Sequence, residues 1–265
     1  MIHPHPESNL AAPVAFSASA LAKRLFVSLG ILPLLLTLTL VCFAVNEPRF
    51  LSLDNLSNVM RVSTFLIIVA MGQMLVILTA GLDLSVGSII GFVGVVTASL
   101  MLRLLDSYPE AAGLAIGLSV AGGLLAGVLV GAVNGIGVSL LKVSPFMMTL
   151  GTMTSLVGIS LSLTSGLPVT GIPDEFMQLF GYGRVLGMTP PVLITLVLFV
   201  VIWVLLNRTT SGRYFYAVGA NLRAAQLSGI STRWQLFLAY VLAGLLAAVV
   251  GVLFLARTGS AEALN

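Results

Sequence analysis

The hydrophobic positions of this chain gather into long apolar runs separated by short polar segments. Seven runs are near or above the ~20 residues that a helix needs to cross a bilayer. The pattern predicts an all-α, polytopic membrane helix bundle with about seven spans. Residues 1–22 are predicted to be a flexible cytoplasmic tail, and residues 23–265 a transmembrane domain. The runs lie at 25–45, 62–80, 84–102, 112–141, 145–164, 190–206 and 236–256.

Composition strengthens the membrane assignment. Hydrophobic residues make up 58% of the 265 positions and charged residues only 8%, whereas a soluble domain carries about 25% charged residues. The basic residues flank the apolar runs and do not form one surface, so a nucleic-acid partner is not predicted. Membrane lipid is the expected surrounding.

Basic residues also predict the orientation of the chain. Lys23 and Arg24 precede the first run, and the segment 207–235 carries four arginines and no acid. Cytoplasmic loops are enriched in Lys and Arg, so both segments are predicted to lie inside. Six runs separate them, and an even number agrees with that placement.

One polar break interrupts the apolar pattern between the second and third runs. It reads Gly81-Leu82-Asp83-Leu84-Ser85-Val86-Gly87-Ser88. A carboxylate facing lipid is costly, so Asp83 is expected to face water, a partner or a pore. The alternative is an ordinary interhelical turn that uses Gly and Asp. The predicted orientation puts this break near the cytoplasmic face.

The run 112–141 is too long for a simple crossing and is predicted to be tilted or broken. Glycines recur in it every fourth residue and therefore share one helix face. Such a face lets a neighbouring helix approach closely, and we favour general tight packing over a specific homodimer seam. The glycines of this predicted packing face are Gly123, Gly127, Gly131 and Gly135, with Gly113 and Gly117 upstream.

The cytoplasmic segment 207–235 contains a short predicted helix. Asn221 is a good N-cap, residues 222–228 are good helix formers, and Gly229 is a good stop signal. Two turns of helix are too short to be stable alone and must rest on something. The helix either packs on its own membrane domain or docks a cytosolic partner.

Enzymatic motifs are absent from the sequence. The only lysines are Lys23 and Lys142, and no Gly-x-x-x-x-Gly-Lys-Ser/Thr loop occurs, so the chain is not expected to hydrolyse ATP itself. The two histidines, His3 and His5, are too few for a metal site, which needs three or four ligands. We predict no enzyme, cofactor or metal.

Three stretches in this order resemble the permease subunits of bacterial ABC importers of the ribose/monosaccharide type, which are related to branched-chain amino-acid permeases. The stretches are Gly72–Ala98 with its GLDLSVGS string, Asn134-Gly135 followed by residues 145–152, and residues 212–230. The resemblance implies a type II-like permease in the inner membrane. Family members continue past Ala256 with further spans, so the chain is expected to lack the last C-terminal ones.

The resemblance also implies partners. These are a second permease subunit, with a homodimer favoured, an ABC ATPase on the cytoplasmic side and a periplasmic sugar-binding protein outside. The short helix would be the coupling helix that contacts the ATPase, with an Arg where the importers' EAA loop has Glu. Its residues are Asn221, Arg223, Ala224, Ala225, Leu227, Ser228 and Gly229.

The function predicted from this resemblance is import of a monosaccharide such as ribose, xylose or galactose. Hydroxyl and amide side chains with little charge suit a neutral sugar, although Ser and Thr commonly bond back to their own helix. Asp83 and Ser85 would form an inner gate. The alternatives are an ion-coupled secondary transporter or channel, with Asp83 as the ion site, and an inactive truncated membrane scaffold. The candidate pathway residues are Gln73, Asp83, Ser85, Ser88, Asn134, Thr149 and Thr152.

Overall fold

The computed structural model describes residues 30–185 and 187–263. The predicted tail, residues 1–22, lies outside the described residues, as do residues 25–29 of the first predicted run. The chain divides into two compact units, residues 1–58 and residues 59–265.

The first unit contains helix α1 (Ile31–Asn46) and the first turns of α2 (Leu53–Leu78). Phe50 lies between the two helices, and its ring stacks on that of Phe43 in α1 with the ring centroids 5.7 Å apart. The Asn55 amide donates a hydrogen bond of 2.7 Å to the Phe50 carbonyl. Ser52 accepts from the Asn55 N–H at 3.2 Å and so satisfies a free donor in the first turn of α2.

The second unit is a helical bundle, and the all-α prediction is confirmed. Six helices of the described residues are long and apolar enough to cross a membrane. The first predicted run overlaps α1, which is shorter at 16 residues. The six are α2, α3 (Val86–Ser107), α4 (Ala112–Ser139, after a 3₁₀ turn at Pro109–Ala111), α5 (Pro145–Thr164), α7 (Pro190–Arg208) and α10 (Thr232–Thr258).

The second unit also has three shorter helices among the described residues. They are α6 (Asp174–Met177), which continues into a π-helical turn at Gln178–Tyr182, α8 (Thr210–Ala220) and α9 (Leu222–Leu227). Helix α6 lies between α5 and α7 in the chain. Helices α8 and α9 occupy the predicted cytoplasmic segment, which is therefore mostly helical.

Helix starts marked by proline match the prediction, whereas polar starts do not. Pro145 and Pro190 begin α5 and α7, because proline suits the first helical position. In contrast, α2 begins at Leu53 and not at residue 62, since its first turns carry Asp54, Asn55 and Arg61 and lack an apolar pattern. Hydropathy finds the membrane-facing part of a helix but misses its polar extension.

Helix α4 is continuous over 28 residues, so the predicted alternative of a broken helix is wrong. Its rise of ~1.5 Å per residue makes it longer than a ~30 Å hydrocarbon core. That excess length leaves tilt as the remaining expectation for this run.

The core lies along α10, which packs against α3 and α4. A Cβ added at Gly131 of α4 would lie 2.5 Å from the Tyr240 carbonyl oxygen and 3.0 Å from the Val241 Cα. Gly127 is in contact with Gly244 and Ala248, and Gly135 with Phe237. This glycine seam therefore brings two backbones together inside one chain. A Cβ at Gly113 or Gly117 would have no atom of the described residues within 4 Å, so the seam seen there covers only the second half of α4.

The segments between helices gather at two ends of the second unit. At one end, α8 reaches the end of α2, where a Cβ on Gly219 would clash with the Leu78 carbonyl oxygen. At the other end, Val169 and Ala261 exchange backbone hydrogen bonds of 2.9 and 3.0 Å. Tyr182 donates to the Arg257 carbonyl at that same end. Helices that alternate in direction place their connecting segments at two opposite ends in this way.

Candidate functional site

The connector between α2 and α3, residues 79–85, is the centre of the candidate site. Helix α2 ends in a turn in which the Gly81 N–H donates to the Val76 carbonyl at 3.0 Å and the Ala80 N–H to the Ile77 carbonyl at 2.9 Å. Ala80 has φ of 58°, in the left-handed region that non-glycine residues seldom adopt. The turn satisfies carbonyls at the helix end and directs the chain into the bundle.

Asp83 is buried in the connector, with 4% of its surface exposed. One carboxylate oxygen, Oδ1, accepts from the Ser85 N–H at 2.8 Å and from the Ser85 hydroxyl at 2.6 Å. The residue lies outside both flanking helices. Burial raises the pKa of its carboxyl, and the two hydrogen bonds from Ser85 lower it in part. Asp83 is thus both a turn residue and a buried polar group.

A chain of side-chain hydrogen bonds leads from Asp83 across the bundle. The Asn134 amide nitrogen donates to the Ser85 hydroxyl at 2.9 Å. The Thr152 hydroxyl donates to the Asn134 amide oxygen at 2.5 Å. Ser85 and Asn134 are completely buried. The network therefore links the connector to α4 and, through Thr152, to α5.

Two further bonds hold the connector backbone. The Leu84 N–H donates to the Thr149 hydroxyl oxygen at 3.1 Å, and the Gln73 amide donates to the Asp83 carbonyl at 2.8 Å. Six of the seven candidate pathway residues therefore meet at one place. The seventh, Ser88, donates to the Ser85 carbonyl at 2.8 Å, so its hydroxyl bonds back to its own chain near the start of α3.

Tyr240 belongs to this site and is missing from the sequence-based set. Its hydroxyl donates to the Leu82 carbonyl at 3.2 Å, and its side chain is completely buried. A buried tyrosine needs a partner for its hydroxyl. The sequence feature that could have identified Tyr240 is its polar hydroxyl inside the apolar run 236–256.

An open groove of about 740 Å³ lies beside the network, between α3, α4 and α5. Its lining is mainly apolar, with hydroxyls from Thr152 and Ser155. Since Thr152 also bonds to Asn134, this one side chain connects the groove to the buried connector.

The segment between α7 and α10 forms a second candidate surface. The Asn221 side chain accepts from the Ala224 N–H at 2.9 Å and caps α9, and Gly229 has φ of 79° after the helix ends. The helix predicted over 222–228 is therefore present as Leu222–Leu227. Its Leu227 side chain is 85% exposed.

Helix α9 rests on its own membrane domain at two points. Ala225 is buried, and the Gln226 amide donates to the Thr232 hydroxyl at 3.1 Å at the start of α10. Helix α8 was not predicted. Its signal was Thr209, whose hydroxyl accepts from the Gly212 N–H at 3.1 Å as an N-cap.

The fold and this buried connector define a multi-pass helical membrane protein. Residues 55–265 match the family model described as the branched-chain amino acid transport system / permease component. The match extends over most of the chain, and the chain belongs to this family. The resemblance drawn from the GLDLSVGS string is confirmed, and the chain is a multi-pass protein of the bacterial inner membrane.

Curated relatives give the same picture. The chain is 37% identical over 219 residues to the ribose import permease protein RbsC of Escherichia coli (strain K12), an alignment that covers 82% of this chain and 65% of that protein. It is 34% identical to the D-allose transport system permease protein AlsC of the same strain, covering 87% and 68%.

A third relative is the galactose/methyl galactoside import permease protein MglC of Salmonella typhimurium. The identity is 36% over 257 residues, covering 92% of this chain and 76% of the relative. The chain thus spans about two thirds to three quarters of the lengths of these relatives. No solved structure matches the chain significantly.

Proposed function

We propose that this chain is the transmembrane permease subunit of an ATP-driven ABC importer that moves a monosaccharide across the inner membrane. The observation that carries the proposal is its similarity, over most of its length, to permeases named for ribose, allose and galactose. The site is compatible with such a solute, because its side chains are mostly hydroxyls and amides. Ribose, xylose, galactose or a similar sugar is the expected substrate class.

The coupling helix of the proposed importer is α9, which would contact the ABC ATPase. A helix of six residues does not persist alone in water. This one has a cap at its start, a left-handed glycine after its end and an anchor on α10. Leu222, Arg223 and Leu227 remain exposed. An exposed leucine on a well-anchored helix suits insertion into an apolar groove of a partner.

The inner gate of the proposed importer is the network of Asp83, Ser85, Asn134 and Thr152. Closure of the ATPase pair would move α9 and change the position of α5 relative to the connector. The Thr152 hydroxyl would then give up its hydrogen bond to the Asn134 amide oxygen and bond to water or to a sugar hydroxyl. A hydroxyl and an amide allow this exchange, since both bond equally well to protein and to sugar.

The remaining parts of the proposal follow from the direction of the chain. The N-terminus and α8–α9 lie in the cytoplasm, in agreement with the arginines of that segment. The opposite end, with α6 and the Val169–Ala261 pair, then faces the periplasmic sugar-binding protein. A second permease subunit, most simply another copy of this chain, completes the pore.

The decisive experiment is co-purification with the cognate ATPase, followed by uptake of labelled ribose, allose and galactose into proteoliposomes. Uptake should require ATP, the ATPase and the binding protein. Uptake driven by an ion gradient without the ATPase would instead indicate a secondary transporter, and no uptake of any sugar would indicate a scaffold.

A pair of variants tests the coupling surface. Leu227→Asp should abolish co-purification of the ATPase, because a charge would enter an apolar contact. Leu167→Asp is the matched control, since Leu167 is 69% exposed and adjoins the Val169–Ala261 end. Retention of the ATPase by Leu227→Asp would contradict the assignment of α9.

A further inference from the structure

Tyr240 is positioned to control the connector. Its hydroxyl donates to the Leu82 carbonyl at 3.2 Å, one residue before Asp83. The same hydroxyl would lie only 2.8 Å from a Cβ added at Gly81. A side chain at position 81 would therefore push the tyrosine away. The hydroxyl of Tyr240 reaches the connector because residue 81 is a glycine.

The helices before and after α9 both contact the connector or the end of α2 that leads into it. Before α9, the Gly219 backbone of α8 lies against the Leu78 carbonyl at the end of α2. After α9, helix α10 begins at Thr232, and Tyr240 lies about two turns further along it. A displacement of α9 must be transmitted to α8 or to α10, because both helices are continuous with α9 in the chain.

Strain in the connector gives this contact a function. Ala80 is held at φ of 58°, a conformation that costs energy for a residue with a Cβ. Such a conformation persists only where its surroundings hold it in place. The Tyr240 hydroxyl and the Gln73 amide hold the backbone just after this residue, since they donate to the Leu82 and Asp83 carbonyls.

We infer that Tyr240 is a positioning residue that couples movement of α10 to the Asp83 connector. It acts through the Leu82 carbonyl and does not contact the solute. When α9 is displaced, α10 carries the tyrosine with it, and the hydrogen bond draws the connector and Ser85 along. The inference rests on the proposed function, to which it adds a route between the ATPase contact and the inner gate.

The first test measures sugar uptake and ATP hydrolysis together in proteoliposomes that hold the complete importer. Tyr240→Phe removes one hydroxyl and keeps the ring. Sugar transported per ATP hydrolysed should fall by roughly three- to tenfold, the range for loss of one buried hydrogen bond. ATP hydrolysis itself should stay within about twofold, because α9 still binds the ATPase.

A matched control is Tyr108→Phe, which removes the hydroxyl of a tyrosine that is 65% exposed at the end of α3. Its ratio of transport to hydrolysis should equal that of the unmodified protein. An unchanged ratio in Tyr240→Phe would overturn the inference. So would a parallel loss of uptake and hydrolysis, since that result indicates a purely structural role.

The second test does not depend on transport. Amide hydrogen exchange of the purified permease should be about three- to tenfold faster at residues 81–85 in Tyr240→Phe, and unchanged there in Tyr108→Phe. Equal exchange in the two variants would refute the positioning role, whatever the protein transports. If the unmodified importer moves no sugar while exchange responds as expected, the proposed function fails and the contact itself stands.

Discussion

Helices α10 and α5 are both long enough to span a membrane, yet they are held in opposite ways. Fifteen of the 27 residues of α10 are buried, whereas α5 buries only Thr149, Leu156 and Ser160 among its 20. Helix α10 meets α4 through the glycine seam, where backbones touch. Helix α5 is joined to the connector and α4 by the Thr149 and Thr152 hydroxyls.

This difference teaches which part of the bundle can move. Two closely packed backbones cannot replace the contacts that they lose on separation, because any separation opens a void. A hydroxyl that bonds to an amide loses little when water or a sugar hydroxyl replaces that amide. We infer that α4 and α10 stay packed together as one unit and that α5 changes position relative to them.

The strongest test of this contrast places a large side chain in the seam. Gly131→Leu should prevent recovery of folded protein, since even a Cβ would lie 2.5 Å from the Tyr240 carbonyl oxygen. Size-exclusion chromatography in detergent measures this outcome. Gly117→Leu is the control on the same helix, where a Cβ meets no atom within 4 Å. Equal yields from the two variants would show that the seam is not fixed.

A smaller effect is expected from breaking the network at its centre. Asn134→Leu would leave the Ser85 and Thr152 hydroxyls without this partner and should cost about 2–3 kcal/mol of stability. Thermal unfolding in detergent reports the change. Asn207→Leu removes an exposed amide whose bond within the described residues is to the Trp203 carbonyl of its own helix, and the melting temperature should scarcely change.

The Asp83 carboxylate should matter more to transport than to stability. Asp83→Ala removes the acceptor of two Ser85 bonds but also removes a buried polar group. The net change should be about 1 kcal/mol or less, while uptake in proteoliposomes falls and assembly of the proposed dimer is retained. Asp83→Asn keeps an acceptor oxygen and should retain more uptake than the alanine variant. Normal uptake by Asp83→Ala would remove Asp83 from the proposed gate.

The last prediction concerns the polar attachment of α5, where a small loss of stability is expected. Thr152→Val removes the hydroxyl that donates to Asn134 and should destabilise the protein by about 1 kcal/mol. Thr154→Val, on the exposed side of the same helix, removes bonds to the Leu150 and Gly151 carbonyls of that helix. A larger loss for position 154 than for 152 would contradict the attachment of α5 through Thr152.

The sequence predicted those features that depend on neighbouring residues. The membrane-length runs, the proline starts of α5 and α7 and the Asn221 cap are all decided within a few positions. The class of fold and the family resemblance followed from such signals. The polar set around Asp83 was found because polar residues are conspicuous in apolar runs.

The remaining features depend on residues far apart in the chain. Tyr240 and Leu82 are separated by 158 positions, and Leu84 and Thr149 by 65. No local pattern predicts which carbonyl a tyrosine will reach. Ser88 shows the converse, since its hydroxyl bonds within its own chain although the sequence predicts a pathway residue there.

The glycine seam has a consequence for how the gene can vary. A helix turns by about 100° for each residue. One codon inserted between Gly127 and Gly131 would therefore rotate Gly131 and Gly135 away from α10 and bring larger side chains into the contact. Length changes in α4 should thus be eliminated by selection, while exposed segments such as residues 165–168 can lengthen or shorten freely.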